Sequence, residues 1–409
     1  MKILGTYKLQ ELTTKIGSGA TPRGGKNSYK DSGISLIRSL NIYDLEFDTY
    51  GLAFIDQEQA DNLSNVEVEK DDVLINITGA SVARCCKVPE EILPARVNQH
   101  VSILRTKKER LDPTYLQYLL VSPFYKHKLL TFAQGGATRE ALTKGGLEEF
   151  EIKLPPLETQ ISIAKMLSAF DYLINNNIRR IEILEEMARR IYREWFVHFR
   201  YPGQENDELV DSGTELGEIP EGWEVKNFGD LVAYERDRIK DDDVDKKVSV
   251  LGLGDMPKKS ITLSEWENTN DIGSTKLGFK RDDILLGKIR PYFHKVGFAQ
   301  TNGVCSSDIF VWRPKGNKDF VFALLVASSD KFVETATNSS SGTKMPRAKW
   351  DVLEQYSVAY PTEELLQKLN SLVGSSLKQI RTLSFHNKRL KETRDLLLPK
   401  LISGKIELD

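Results

Sequence analysis

Residues 154–203, LPPLETQISIAKMLSAFDYLINNNIRRIEILEEMARRIYREWFVHFRYPG, read as one long helix, and the stretch from Thr362 to about Leu401 repeats the plan. After Pro155 and Pro156, apolar residues recur at spacings of three and four, at Ile174, Ile181, Leu184, Ala188, Ile191 and Trp195, which is a heptad seam. Arg179, Arg180, Glu185, Glu186, Arg189 and Arg190 fall largely off that seam. The run stops at Tyr201-Pro202-Gly203, where proline lacks the N–H that a helix needs. The second helix has its own seam at Ile380, Leu383, Leu390, Leu397 and Leu401. Asn177 and Asn387 interrupt the two seams, and polar seam residues fix register and partner at some cost in stability. A helix of roughly 40 residues is about 60 Å long at 1.5 Å per residue, more rod than one small globular domain needs. Two such helices in one chain are expected to pair with each other. Each is entered from a globular region at its N-terminal end, so antiparallel pairing predicts those regions at opposite ends of a rod, with pseudo-two-fold symmetry.

The globular regions repeat as well. KDDVLINITGASVARCCKV is matched by RDDILLGKIRPYFHKVGFA, and NQHVSILRTKK by CSSDIFVWRPK. DPTYLQYLLVSPFYKHKLLTFAQ, an expected helix pair, is matched by DFVFALLVASSDKFVETAT, and LEEFEIKLPP by LEQYSVAYPT. Asp71-Asp72 thereby pairs with Asp282-Asp283, Arg105 with Arg313, Gly136 with Gly342 and Pro156 with Pro361. So long a period marks a duplicated domain plus helix and not a solenoid. β-branched, alternating runs before and between short helices predict an α+β class. The expected organisation is a first domain at 1–155, a long helix at 156–200, an acidic linker at 201–222, a second domain at 223–361, and a second long helix with its tail at 362–409.

Composition excludes several classes. With 40% hydrophobic and 28% charged residues over 409 positions the chain can build real cores. No apolar run approaches the roughly 18 residues that span a bilayer, and MKILGTYKLQELTTK lacks the features of a signal peptide, so the cytoplasm is the expected compartment. Cys85, Cys86 and Cys305 form no ligand pattern and are expected to be small buried hydrophobes. The formal net charge of −2 argues against holding nucleic acid by bulk electrostatics alone. Much of the acid lies in 201–230, however, where Glu205, Asp207, Glu208, Asp211, Glu215, Glu218, Glu221, Glu224 and Asp230 face only Lys226, and the remainder is slightly basic.

Catalytic motifs are absent. GSGATPRGGKNSYKDSG lacks the P-loop spacing and is expected to be a turn-rich surface loop that stays open to a role facing a groove. Glu151-Ile-Lys153 and Glu224-Val-Lys226 lack the preceding Pro-Asp of a metal-dependent nuclease, and Leu154-Pro-Pro-Leu157 lacks the polar and aromatic members of an amino-group methylase motif. Gly252-Leu-Gly254 is a bare GxG, and His100, His127, His198, His294 and His386 show no metal spacing.

What remains is a set of polar and basic residues in matched loops. In the first domain these are Arg38, Ser39, Asn41, Thr78, Ser81, Arg84, Asn98, Gln99, His100, Thr138 and Arg139; in the second, Lys288, Arg290, Tyr292, His294, Ser306, Ser307, Asp308, Lys344 and Arg347. Arg and Lys read guanine edges, Asn and Gln read adenine, Asp accepts from cytosine, and Ser or Thr serve base or phosphate. Taken singly, each residue is explained better by capping a turn or solvating a loop. As two sets at equivalent positions of a duplicated domain, they point to base readout in double-stranded DNA.

LPPLETQISIAKMLSAFDYLI with IYREWFVHFRYPG, the linker ending in LGEIPEGWEVKNFGDL, and the terminal RLKETRDLLLPKLISGKIEL together resemble the specificity subunit of type I restriction-modification systems. YPTEELLQKLNSL departs from that pattern, lacking the second proline and the glutamine of PPLETQ. The resemblance implies two target recognition domains, each reading one part of a bipartite DNA site, without catalysis in this chain. It implies that the helical regions dock two methylation subunits and, through the complex, restriction subunits. It places S-adenosylmethionine, ATP and Mg in those partners, with no cofactor in this subunit. ITGASVARCC and KIRPYFHKVG share a frame but almost no side chains, so the two half-sites are expected to differ. A rod between readers would set the spacer, and lengthening both helices should lengthen it. The alternative is a coiled-coil scaffold whose two globular ends bind proteins, which would show broad apolar patches on those ends.

Overall fold

A computed structural model describes residues 5–134, 141–203, 208–241, 246–342 and 344–407. The chain forms two compact units, Met1–Leu173 with Leu390–Asp409, and Ile174–Arg389, so each long helix contributes to both.

In the first unit, Gly5–Lys8 pairs antiparallel with Glu151–Leu154 and brings the domain's beginning to its end. One antiparallel sheet runs in the order Thr13–Ser18, Val101–Thr106, Val73–Asn76, Cys85–Lys87. A second runs Ala53–Ile55, Ile34–Ile37, Ala95–Val97, Glu67–Val68, with Ala95–Val97 parallel to Ile34–Ile37. The helix pair is Pro113–Val121 and Pro123–Gln134. Asp112 caps the first of these by accepting from the Tyr115 amide at 2.7 Å, and Pro113 occupies the first turn, where its missing N–H costs nothing. The two sheets have separate cores, and the helix pair closes the one built on Val73, Ile75 and Leu104.

The second unit repeats this plan. Glu224–Asn227 pairs with Ser357–Tyr360, one five-stranded sheet is built around Ile309–Pro314 and Ile284–Gly287, and a second around Gly303–Cys305 and Val248–Leu251. Phe320–Ala327 and Asp330–Asn338 form its helix pair. Repetition reaches single ion pairs. In the first unit Arg105 donates Nε and Nη2 to the two oxygens of buried Asp72 at 2.8 Å each, and the Glu69 amide donates to the same carboxylate. In the second, Arg313 makes the same fork to buried Asp283 at 2.9 and 2.8 Å, with the Lys280 amide donating. Asp71 and Asp282, one residue earlier, both have φ of 71°. The duplicated Asp-Asp…Arg pattern is thus a turn lock joining two strands.

The first long helix is Leu157–Tyr192, continued by one wider turn at Arg193–Val197, and the second is Glu363–Ile402. They pair antiparallel. In the first unit, Asp171 accepts from Arg394, and Leu398 and Leu401 share a core with Ile163, Ala164 and Leu167. In the second unit, Ile174, Ile181, Ala188 and Trp195 are buried, as are Ile380 and Leu383. Leu184 and Ile191 are half-buried against the same core, and Asn177 meets Asn387. Leu390 and Leu397 are also only half-buried, and Leu398 takes the fully buried place beside Leu397.

Three details depart from the expected picture. Glu185, placed off the seam by spacing, is buried and accepts from the Thr262 amide, the Thr262 hydroxyl and the Ser260 hydroxyl at 2.9, 2.5 and 2.7 Å. The acidic stretch after the first helix holds an antiparallel pair, Leu209–Asp211 with Glu218–Pro220. Its far end, Trp223, packs on Phe196, Phe199 and Tyr201, so the aromatic run REWFVHFRY ends the helix by folding back onto that indole. Gln160, missing from the second helix start, accepts from the Asp112 amide and donates to the carbonyls of Arg110 and Pro155. In the second unit buried Leu365 and Leu366 occupy that first turn, and Tyr360 donates to Asp319 at 2.6 Å.

Candidate nucleic-acid interface

In the first unit the candidate residues lie on loops at one end of the two sheets, held by backbone register. Asn76 donates to the Ser39 carbonyl at 2.9 Å and to the Ser81 hydroxyl at 3.1 Å, tying the loop after Ile34–Ile37 to the loop after Val73–Asn76. The Ile77 amide donates to the His100 carbonyl and the Leu142 amide to the Ile77 carbonyl, which brings the 98–100 turn and the start of the next segment alongside. Thr78 bridges to Ala141. Thr138 and Arg139 lie outside the described residues.

A chain of polar side chains crosses this surface. Thr78 Oγ1 and His100 Nδ1 are 2.6 Å apart, His100 Nε2 and Gln99 Nε2 are 3.1 Å apart, and Gln99 accepts from Thr21. Thr21 was not among the expected residues. It belongs to the GSGATPRGG loop, which lies so close to the strand beneath that a Cβ at Gly19 would sit 1.9 Å from the Val97 carbonyl oxygen. The glycine in GSGATP was therefore the readable signal of close backbone approach. Arg84 stacks over the Tyr43 ring at 4.7 Å, an aromatic platform that spacing did not disclose. Leu40 and Tyr50 are exposed nearby in the chain, Tyr50 at 72%.

Not every candidate is presented outward. Asn41 is fully buried, accepts from the Arg38 amide at 3.1 Å and donates to the Asp48 carbonyl at 2.9 Å, so its amide holds the loop. Asn98 is buried and accepts from the His100 amide at 3.1 Å, forming the turn that presents Gln99. Arg38 donates to the Gly51 carbonyl and lies 5.3 Å from the Tyr29 ring.

The second unit gathers a more charged set. Lys288 donates its amide to the Asp308 carbonyl and its Nζ to the Ser307 carbonyl, with the ammonium 4.8 Å from the Phe310 ring centre. Ala348 donates to the Lys288 carbonyl, and Ile289 bridges to Arg347, which joins the 288–290, 306–308 and 344–348 segments. Arg290 takes the left-handed conformation at φ 49° and reaches the Lys344 carbonyl at 3.4 Å. The Asp308 amide meets the Ser306 hydroxyl at 3.2 Å, and Arg347 Nη2 donates to Asp308 Oδ1 at 3.0 Å. Tyr292 is exposed and packs edge-on against Phe293.

His294 stands apart. Its Nε2 lies 2.9 Å from the Ser328 carbonyl and its Nδ1 3.5 Å from Asp330, and burial lowers its pKa from the ordinary value. It lines a cleft of about 730 Å³ with Arg189, Tyr192, Lys259 and Tyr356. Among the described residues no group of His, Cys, Asp or Glu is arranged to hold a metal. All three cysteines are free and buried, and burial pushes the Cys305 thiol up to about 12, out of reach of nucleophilic chemistry near neutrality. No helix is long and apolar enough to cross a membrane among the described residues.

Residues 4–186 match the family described as Type I restriction modification DNA specificity domain. The chain is 29% identical over 321 residues to the type I restriction enzyme MjaIX specificity subunit of Methanocaldococcus jannaschii, covering 74% of this chain and 71% of that one. It is 24% identical over 357 residues to the MjaVIII specificity subunit of the same organism, covering 83% and 80%. In fold it is similar to the crystal structure of a type I restriction-modification S subunit from M. genitalium, with a TM-score of 0.60, 15% identity, and coverage of 97% of this chain and 95% of that one.

Proposed function

We propose that this chain is a specificity subunit of the type I restriction-modification family and that its two loop clusters read the two different halves of one asymmetric bipartite DNA site, without catalysis of its own. The observation that carries this reading is the contrast between the clusters. They sit on the same duplicated framework, locked by the same Asp–Arg forks, yet one carries a Thr–His–Gln chain with Arg84 stacked on Tyr43, and the other a Lys, Arg and Asp set with an Arg–Asp ion pair. A shared framework with divergent tips suits two readers of unlike sequence, since base edges and not phosphates carry sequence information.

In this reading two methylation subunits, and restriction subunits through the complex, supply S-adenosylmethionine, ATP and Mg chemistry together with most phosphate contacts. A near-neutral chain then contributes base-edge specificity, and alone it binds DNA weakly with a steep loss in salt. The test is to assemble the chain with its methylation subunit and S-adenosylmethionine and map methylated bases by single-molecule sequencing. One bipartite motif with two unlike halves is expected. Methylation without sequence preference, or tight specific binding by the lone chain near physiological salt, contradicts the proposal.

A further inference from the structure

We infer that Arg347 and Asp308 act together as the reader of one G·C base pair in the major groove, within the half-site of the second domain. The inference rests on the DNA-reading role proposed above and adds to it the identity of one base pair. The two residues come from separate loops, and the backbone of each is pinned. The Arg347 amide and carbonyl bond to Ser341 at 3.1 and 3.3 Å, while the Asp308 amide and carbonyl bond to the Ser306 hydroxyl and the Lys288 amide at 3.2 and 2.8 Å. Their ends meet at 3.0 Å, and the Arg347 side chain is 58% and the Asp308 side chain 33% exposed. Each charge is thus oriented by the other while remaining open to a ligand.

That arrangement suits a base pair and not a phosphate. A phosphate drawn to Arg347 would lie against the Asp308 carboxylate, a like charge, whereas Lys288, Arg290 and Lys344 in the same cluster carry positive charge for the backbone. A guanidinium has five N–H donors, and Nη2 uses one on Asp308; the rest match the two acceptors, O6 and N7, that guanine shows in the major groove. Asp308 accepts from Arg347 through Oδ1, and its other oxygen matches the amino donor of cytosine. An A·T pair reverses both matches. The adenine amino group would face the guanidinium, and the thymine O4 would face the carboxylate. In the first domain the residue just before the corresponding strand, Val101–Thr106, is His100, in a Thr–His–Gln chain, so the Arg–Asp pair assigns the G·C to the second domain.

The test uses the assembled methyltransferase with wild-type chain, Asp308→Asn and Arg347→Lys, each mapped by single-molecule detection of methylated bases. The expected result is that both variants relax the same single position, that this position is a G·C pair in the wild-type motif, and that its preference falls on the order of 10- to 100-fold while the rest of the motif holds. The inference is overturned by relaxation at an A·T pair, or by an unchanged motif in both variants, the outcome of a surface ion pair that only staples the loops. Asp308→Asn is near-isosteric, so it decides the matter alone should Arg347→Lys fail to assemble. Absence of any motif in the wild-type assembly would instead refute the DNA-reading role itself.

Discussion

Asn177 Nδ2 donates to Asn387 Oδ1 at 2.9 Å between the paired helices, and Asn387 Nδ2 donates to the Ile174 carbonyl at 3.3 Å. Each asparagine satisfies a polar group that the apolar seam would otherwise strand. Asn387→Ala therefore leaves Asn177 unpaired and is expected to destabilise the second unit by about 1–3 kcal/mol. Replacing both with leucine should recover much of that loss, because a polar pair in a largely apolar seam is often matched by an apolar one. Denaturant unfolding of the two single variants and the double variant gives the coupling, and additive single losses would show that the asparagines act independently.

The Asp72–Arg105 and Asp283–Arg313 forks make a paired prediction. Both carboxylates are essentially inaccessible to water, and hydrogen bonding to them holds each arginine's pKa above the ordinary value. Truncating the arginine leaves a buried carboxylate uncompensated. Arg105→Met and Arg313→Met should each cost about 3–5 kcal/mol. The matched geometry predicts similar losses, read as shifts in the unfolding midpoint of each variant; a loss at one site only would mean that the locks are not equivalent.

Glu185 is a buried carboxylate on a helix face that otherwise packs apolar groups, and it accepts three hydrogen bonds from Thr262 and Ser260. Glu185→Ala removes the acceptor shared by Thr262 and Ser260 and should destabilise the second unit by more than about 2 kcal/mol, given roughly 1.5–3 kcal/mol for each bond to a charged group. Glu185→Gln keeps the shape and one acceptor and should cost less. A wild-type unfolding midpoint in Glu185→Ala would remove these bonds from the explanation.

These cases mark where reading the chain succeeds. The α+β class, the helix pairing and the domain duplication are written in period and order, which survive divergence because they express burial. Glu185 and Asn41 depart from expectation because spacing does not disclose a polar residue's partners, which are Thr262, far away in sequence, for the first and the Asp48 carbonyl across a short loop for the second. His294 was grouped with Lys288 and Arg290 by proximity in the chain, but two left-handed residues, Arg290 and His294, bend the segment between them. That bend turns His294 toward the Ser328 carbonyl and away from the basic loops. Backbone reversals of this kind leave almost no mark when the residue is not glycine.

His294 also predicts a pH dependence. Burial is the largest influence on it and lowers its pKa; the Ser328 carbonyl and the Asp330 carboxylate pull upward, while Lys259 and Arg189 add to the lowering. The Asp330 side chain is 95% exposed, so its pull is weakened by solvent. The unfolded chain binds this proton near the ordinary histidine value and the folded chain binds it less readily. Stability from keeping His294 neutral is therefore complete above about pH 6.5 and is lost as pH falls below that value toward the folded pKa. The slope cannot exceed about 1.4 kcal/mol per pH unit, the value for one proton. His294→Asn tolerates the left-handed backbone and removes the titrating ring. The unfolding free energies of wild type and His294→Asn, measured from pH 8 down to 5, should keep a constant difference above about pH 7 and then shift against the wild type. Parallel curves across the range would show that the ring contributes no proton linkage.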